Sequence, residues 1–255
     1  MKLFKKNFQA LFGGRNSKII KFYYVIQYSF EKFNTIKKID FKYSFKFIPK
    51  IVLGNFFKEF QSNIDIKKNY YDKKYSFSYA DWFSHNINTW NTILSKIKNI
   101  KYLEIGSFEG RSAVFVGELI NTNEITCVDT FCGSDEHNNI NFDLVYKNCA
   151  RNISKLKIKK KLIKNSSHDF FLKNNEKFNV IYIDGSHHYD DVKKDFINSM
   201  TFLEKNGLLI CDDFFWTEYK NIKDNPITAI IECYKKFEKK LEIIVINHQI
   251  IFKKK

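Results

Sequence analysis

The sequence is short of arginine, of paired cysteines and of long apolar runs, and each shortage removes a class of function. Only Arg15, Arg111 and Arg151 accompany the lysines among 43 basic residues, although the formal net charge is +15. Phosphate and base recognition favour the planar guanidinium fork. Lysine scattered among Asn, Ile, Phe and Tyr therefore reads as a solvated basic surface, and no specific nucleic acid is expected as a partner. The charge leaves open an anionic substrate or an anionic membrane face, because net charge governs association rather than fold. The five cysteines, Cys127, Cys132, Cys149, Cys211 and Cys233, are odd in number and never stand as Cys-x-x-Cys. That argues against a zinc site or a disulfide framework and for reduced thiols. No stretch approaches the roughly 18 uncharged apolar residues of a membrane span, and Ile19 to Phe30 is interrupted by Lys21. Met1 to Lys6 lacks the apolar region and cleavage site of a secretory signal. The expectation is a cytoplasmic protein, with peripheral membrane contact through a basic amino-terminal segment as the alternative.

With 255 residues and 44% hydrophobic content, the chain has material for one substantial α/β core and an extension. Residues 1–75 are rich in Lys, Phe and Tyr, and Phe22, Val25, Ile26, Phe30 and Phe33 recur at helical spacing. Two readings stay open for this basic, helical extension. It is an amphipathic helix that lies on a membrane or grips a substrate, or it packs on the domain or against another copy. Residues 76–255 change character, with short apolar runs alternating with amphipathic segments as in βα units on a parallel sheet. The spacing predicts strands at 101–105, 124–129, 159–163, 179–184 and 207–211. After a last helix near 228–238 come two runs, 241–246 and 249–252, separated only by Asn247 and His248. So short a link excludes a parallel crossover, and these strands should be antiparallel neighbours. Five parallel strands closed by a hairpin differ from the all-parallel sheet of dinucleotide dehydrogenases.

Ligands of open α/β sheets sit beyond the carboxyl ends of the strands. Leu103 to Ser112 reads as a strand, a glycine turn and a helix start that cradles a nucleotide, with Glu104, Gly106, Ser107, Gly110 and Ser112 as candidate contacts. The turn is not the Gly-x-Gly-x-x-Gly fingerprint of an NAD-type oxidoreductase, the rival enzyme class. The second strand ends in Asp129, where a carboxylate would accept from both ribose hydroxyls of an adenosine. Ser166, in Asn165 to Asp169, either faces an adenine edge or caps the next helix. Asp184, Asp212 and Asp213 would converge at neighbouring strand ends, a hard-oxygen set suited to Mg²⁺ or another divalent metal. Without a cation, lysine neighbours or raised pKa values must relieve their repulsion. His187 and His188 stand beside them; His187 is the candidate general base and Asp184 its catalytic companion, while a helix-capping histidine is the competing reading. Trp82, Phe83 and Trp216 are candidate walls of an acceptor pocket.

Residues from about 80 to 255 resemble a class I S-adenosylmethionine-dependent methyltransferase of the methyltransferase domain family 24 type. The motifs that carry the likeness are 103–112, Val128-Asp129-Thr130-Phe131 with Gly133-Ser134-Asp135-Glu136-His137, Tyr182 to Tyr189, and Asn206 to Asp213. Asn225-Pro226, His248 to Ile251 and Asp81-Trp82-Phe83 add to it. The resemblance implies a Rossmann-like seven-stranded sheet, S-adenosylmethionine as methyl donor, and Glu104, Gly106 and Asp129 as cofactor contacts. A more distant similarity to metal-dependent sugar O-methyltransferases implies Asp184, Asp212 and Asp213 as metal ligands. The acceptor implied is a hydroxyl of a sugar, glycan or small secondary metabolite. Set against this is a basic membrane- or RNA-binding module that keeps a degenerate nucleotide domain. Residues 1–75 find no match.

Overall fold

The computed structural model describes residues 17–60, 74–134, 137 and 139–255, with the side chains of 57–60 left aside. The expectations for Met1 to Lys6, and for Asp135 and Glu136, lie outside the described residues. Two long helices, α1 (Lys18–Ile39) and α2 (Phe41–Phe60), precede α3 (Ile87–Leu94) and an alternating series: β1 (Ile100–Ile105), α4 (Arg111–Leu119), β2 (Thr122–Asp129), α5 (Phe142–Ser154), β3 (Lys159–Lys164), α6 (Ser167–Lys173), β4 (Phe178–Ile183), α7 (Tyr189–Phe202), β5 (Leu203–Cys211), α8 (Pro226–Phe237), β6 (Leu241–Ile246) and β7 (Ile250–Lys254).

The strands form one seven-stranded sheet in the order β3-β2-β1-β4-β5-β7-β6. β1 to β5 are parallel, while β7 runs antiparallel to both β5 and β6. The hairpin thus folds back so that its second strand inserts beside β5 and its first becomes the sheet edge. β1 and β4 lie in the middle and are buried on both faces, which is why they read as near-continuous apolar runs. Leu103, Ile105, Ile181 and Ile183 face one apolar layer, built with α6, α7 and α8; Tyr102, Val180 and Tyr182 face the other, built with α3, α4 and α5. β5 starts earlier than its apolar run, because Asn206 takes a left-handed conformation (φ 63°) and the register with β4 shifts around it. All five cysteines are free, and four are buried.

Each exposed edge of the sheet is managed differently. β3 carries Lys159, Lys160, Lys161 and Lys164, whose charges discourage a further strand from pairing. β6 is covered by the extension. Gly54 of α2 sits so close that a Cβ there would stand 1.9 Å from the Ile246 carbonyl oxygen. Lys32 of α1 donates to Asn247 O at 2.8 Å and to Asn55 Oδ1 at 2.9 Å. Tyr43 and Phe47 of α2 pack against Tyr234 of α8, and Phe47 also meets Phe214. Asp40 makes the break between the two helices: its N–H caps α1 at Ile36 O, its carboxylate accepts from Tyr43 N at 3.0 Å, and Lys235 of α8 pairs with it at 2.5 Å. The extension therefore packs on the domain along one side. Val25, read with the apolar stripe of α1, is buried, whereas Phe22, Ile26 and Phe30 are exposed.

The Gly54 contact sets a sharp expectation. Gly54→Ala forces α2 off β6 and should destabilise the protein by about 2 kcal/mol, the usual cost of overpacking. Thermal denaturation should show this as a fall in Tm of about 4–8 °C; an unchanged Tm would mean that the helix is not seated on the strand.

Candidate active site

A single cleft of about 1020 Å³ opens over the carboxyl ends of β1 to β5. All six histidines of the chain, His85, His137, His168, His187, His188 and His248, line it. Gly106, Asp129 and Ser166 line it after β1, β2 and β3, and Asp184, His187, Asp212, Asp213, Trp216 and His248 line it around the ends of β4 and β5 and the turn of the closing hairpin.

Gly106 ends β1 with φ +85°, and a Cβ on it would stand 1.9 Å from the Asp184 carbonyl oxygen. Only glycine permits both the left-handed turn and the approach of β1 to β4. The chain then passes over the end of β2, where Asp129 gathers it. One carboxylate oxygen accepts from Ser107 N and Phe108 N, both at 2.8 Å, and the other from Phe131 N at 2.6 Å. A carboxylate offers about four acceptor positions, so Asp129 fixes the turn and still presents lone pairs to the cleft it lines. Phe108, Trp82 and His137 assemble above it, with the Trp82 ring 4.9 Å from Phe108 and 5.4 Å from His137.

Other residues expected to touch a cofactor lie behind this wall. Glu104, Ser107 and Ser112 are buried, and these three and Gly110 are not among the residues that line the cleft. Glu104 points to the same face as Tyr102, two residues earlier in β1, and accepts from the Tyr102 hydroxyl at 2.7 Å and from Ser112 Oγ at 2.6 Å. Burial lifts its pKa to about 7, and the bonds from Ser112 and Tyr102 offset only part of that. Gly110, left-handed at φ 78°, is the N-cap of α4. These residues shape the turn from beneath. Ser166 caps α6, its Oγ accepting from Asp169 N at 3.0 Å, and the residue also lines the cleft.

Three acids share the neighbouring ends of β4 and β5. Tyr182 donates its hydroxyl to Asp184 Oδ2 at 2.8 Å and stands against Asp212 Oδ2 as well. Gln249 Nε2 donates to Asp212 at 2.8 Å, and Trp90 Nε1 fixes Gln249 at 2.7 Å. Asp213, in a left-handed conformation at φ 50°, turns its carboxylate to two imidazoles, His187 Nε2 at 2.8 Å and His248 Nε2 at 3.3 Å. Burial, with the charges of Asp212 and Asp213, pushes Asp184 well above the carboxylate range. Burial and the charge of Asp213 raise Asp212 too. Burial also opposes ionisation of Asp213, yet the bonds from His187 and His248 outweigh it and hold the carboxyl well below its ordinary value. His248 is raised in return by its bond to Asp213.

The repulsion of three acids is thus relieved by protonation and by imidazole, not by lysine. A metal-binding geometry is also present: one ligand atom each from Asp212, Asp213 and His248 lie within 4.8 Å of one another. That group does not include Asp184, whose Oδ2 accepts from Tyr182, and it does include His248, which the sequence marks only as part of the closing hairpin. His85, whose ring is 4.9 Å from that of His248, carries no sequence signal at all. Trp82 and Trp216 wall the cleft as expected, with Trp216 4.6 Å from the His187 ring. Phe83 does not: it is buried against Trp90 at 4.9 Å. His188 holds the N-cap position of α7, but its side chain makes no capping bond and meets the Tyr219 hydroxyl at 3.2 Å.

Residues 103–214 match the Methyltransf_24 family, a methyltransferase domain. No curated protein matches the chain. Among solved structures, cofactor-bound Rv0187 from MTB shares 10% identity over 68% of this chain and 81% of its own, with a TM-score of 0.51. A proposed rRNA-methylase from Clostridium thermocellum shares 11% over 70% and 100%, with a TM-score of 0.50. A proposed O-methyltransferase from Klebsiella pneumoniae shares 11% over 70% and 82%, also at 0.50. At such identities the likeness establishes the fold alone.

The burial of Glu104 makes stability depend on pH. Its folded pKa of about 7 lies above the ordinary 4.5, so the folded state keeps a proton that the unfolded chain releases. That contribution is fully present below the unfolded pKa and is lost as pH rises to about 7, by about 3 kcal/mol in total. Asp195, raised by burial to about 6, acts in the same direction. Urea denaturation between pH 5 and 8 should therefore give a shallower pH slope for Glu104→Gln than for wild type; identical slopes would show that Glu104 is ionised in the fold.

Proposed function

We propose, from the match of residues 103–214 to a methyltransferase domain, that the chain transfers a methyl group from S-adenosylmethionine to a hydroxyl of an acceptor, a sugar, glycan or secondary metabolite. The observation that carries this reading is one cleft that brings Gly106 and Asp129, at the ends of β1 and β2, together with the acids and imidazole of Asp184, Asp213 and His187. S-adenosylmethionine would supply a sulfonium methyl whose leaving thioether is neutral, so alignment rather than charge stabilisation does most of the work. The cleft volume of about 1020 Å³ holds a ligand of that size together with an acceptor.

Asp129 would accept from the ribose hydroxyls, and Ser166 and Asn165 would border the base. The acceptor hydroxyl must lose its proton as its oxygen bonds to the methyl carbon and the sulfur–carbon bond breaks. His187 would be the residue to take that proton. If Asp213 accepts from its Nε2–H, Nδ1 is the basic nitrogen, and because that atom is buried the ring would have to turn to bring it to the acceptor. The chemistry of Asp212, Asp213 and His248 fits a divalent ion. Bound there, Mg²⁺ or a similar ion would lower the pKa of a coordinated hydroxyl and replace the His248 proton as counter-charge.

Isothermal titration tests the nucleoside site. S-adenosylhomocysteine should bind the wild-type chain, and Asp129→Ala should weaken it at least tenfold, since a charge-assisted pair of hydrogen bonds is worth about 1.5–3 kcal/mol; no binding by the wild type would overturn the reading. Activity should then be assayed on cell-extract acceptors with labelled methyl donor. His187→Ala should lose about 10²–10⁴-fold in kcat, the range of general-base catalysis, with S-adenosylhomocysteine affinity retained. Incubation with EDTA should lower the activity, and Mg²⁺ should restore it. Indifference to EDTA would assign the chemistry to the imidazole pair alone.

A further inference from the structure

The helical hairpin of residues 17–60 is amphipathic the wrong way round for solvent. Its inner side is consumed by the domain, through Ile36, Tyr43, Phe47 and Ile51. Its outer side remains apolar. On α1, Ile19, Phe22, Ile26 and Phe30 recur every three or four residues, and Phe22 is 58% and Phe30 64% exposed. On α2, Phe41, Phe45, Val52 and Phe56 repeat the pattern, with Phe41 61% exposed. The two stripes meet across the hairpin, where the Phe33 and Phe45 rings lie 5.1 Å apart. A contiguous apolar face of this extent is rare on a soluble monomer and marks a docking surface.

The charge around the face identifies what docks. Residues 17–60 hold nine lysines against three acidic residues, and residues 1–16 add four basic residues and no acid. Lys18, Lys37, Lys38 and Lys42 are exposed beside the stripes. Of the acids, Asp40 is already paired with Lys235, and Glu31 accepts from Gln27. A second copy of the chain on this face would bring like charges together, whereas an anionic surface would meet them. No helix among the described residues is long and apolar enough to cross a membrane. A large apolar face flanked by lysine is instead the form of a helix that lies in the interface, with rings among the acyl chains and ammonium groups at the headgroups.

We infer that the outer face of the α1–α2 hairpin docks the protein on an anionic lipid surface. The inference does not rest on methyl transfer. The full-length chain is sedimented with vesicles of phosphatidylcholine alone or with phosphatidylglycerol, at low and high salt. Binding should be strong on the anionic vesicles, at least tenfold weaker on neutral ones, and weakened by salt. Phe22→Asp/Phe30→Asp/Phe45→Asp should abolish it at unchanged Tm, and Lys37→Glu/Lys38→Glu/Lys42→Glu, which leaves the aromatic face intact, should reduce it at least tenfold. Failure of the wild type to bind anionic vesicles overturns the inference. So does equal binding by the lysine variant, or analytical ultracentrifugation in which the wild type is a dimer that the phenylalanine variant dissociates and that stays off vesicles.

Discussion

A carboxylate pair at the ends of β4 and β5, Asp212 buried and Asp184 half-buried at the wall of the cleft, is the costly feature around which the rest of this site is arranged. Asp184 and Asp212 cannot both ionise so close together without compensation. The compensation is the Tyr182 hydroxyl between them, the Gln249 amide held by Trp90, and the protonation that burial imposes. Asp213, one residue further, escapes this constraint by turning to two imidazoles and stays an anion. One strand end thus sets an acid whose ionisation burial resists beside an acid whose ionisation two imidazoles favour, the kind of division that acid–base chemistry requires.

The same arrangement ties distant parts of the chain to these acids. Gln249 and His248 come from the turn of the closing hairpin, and they reach Asp212 and Asp213 only because β7 inserts beside β5. The extension secures that turn: Lys32 donates to Asn247 O, and Gly54 lets α2 press on Ile246. The extension thereby supports the residues next to His248.

Much of this was legible in sequence for a physical reason. The central strands are buried on both sides, so they must be short apolar runs, and their polar ends must be where ligands meet them. Gly106 and Asp129 fall at those ends. Legibility failed where direction mattered. Glu104 carries the right chemistry at the right strand end, but its side chain follows Tyr102 to the core side. Phe83 is one residue from Trp82 and turns the opposite way, into the core. The start of β5 was hidden because Leu203 to Asn206 is polar and joins the sheet through a shift of register.

The alternation of strands and helices, the antiparallel close, the glycine turn and the acids at the strand ends can be read from the chain because each depends on local spacing and on residue type. That His248 comes beside Asp212 and Asp213, with Tyr182 between Asp184 and Asp212, follows only from the folded arrangement. That arrangement also decided that the apolar stripe of α1 divides into a buried side and an exposed one. Those outcomes depend on which residues, far apart along the chain, compete for the same few hydrogen-bond donors and the same stretch of core.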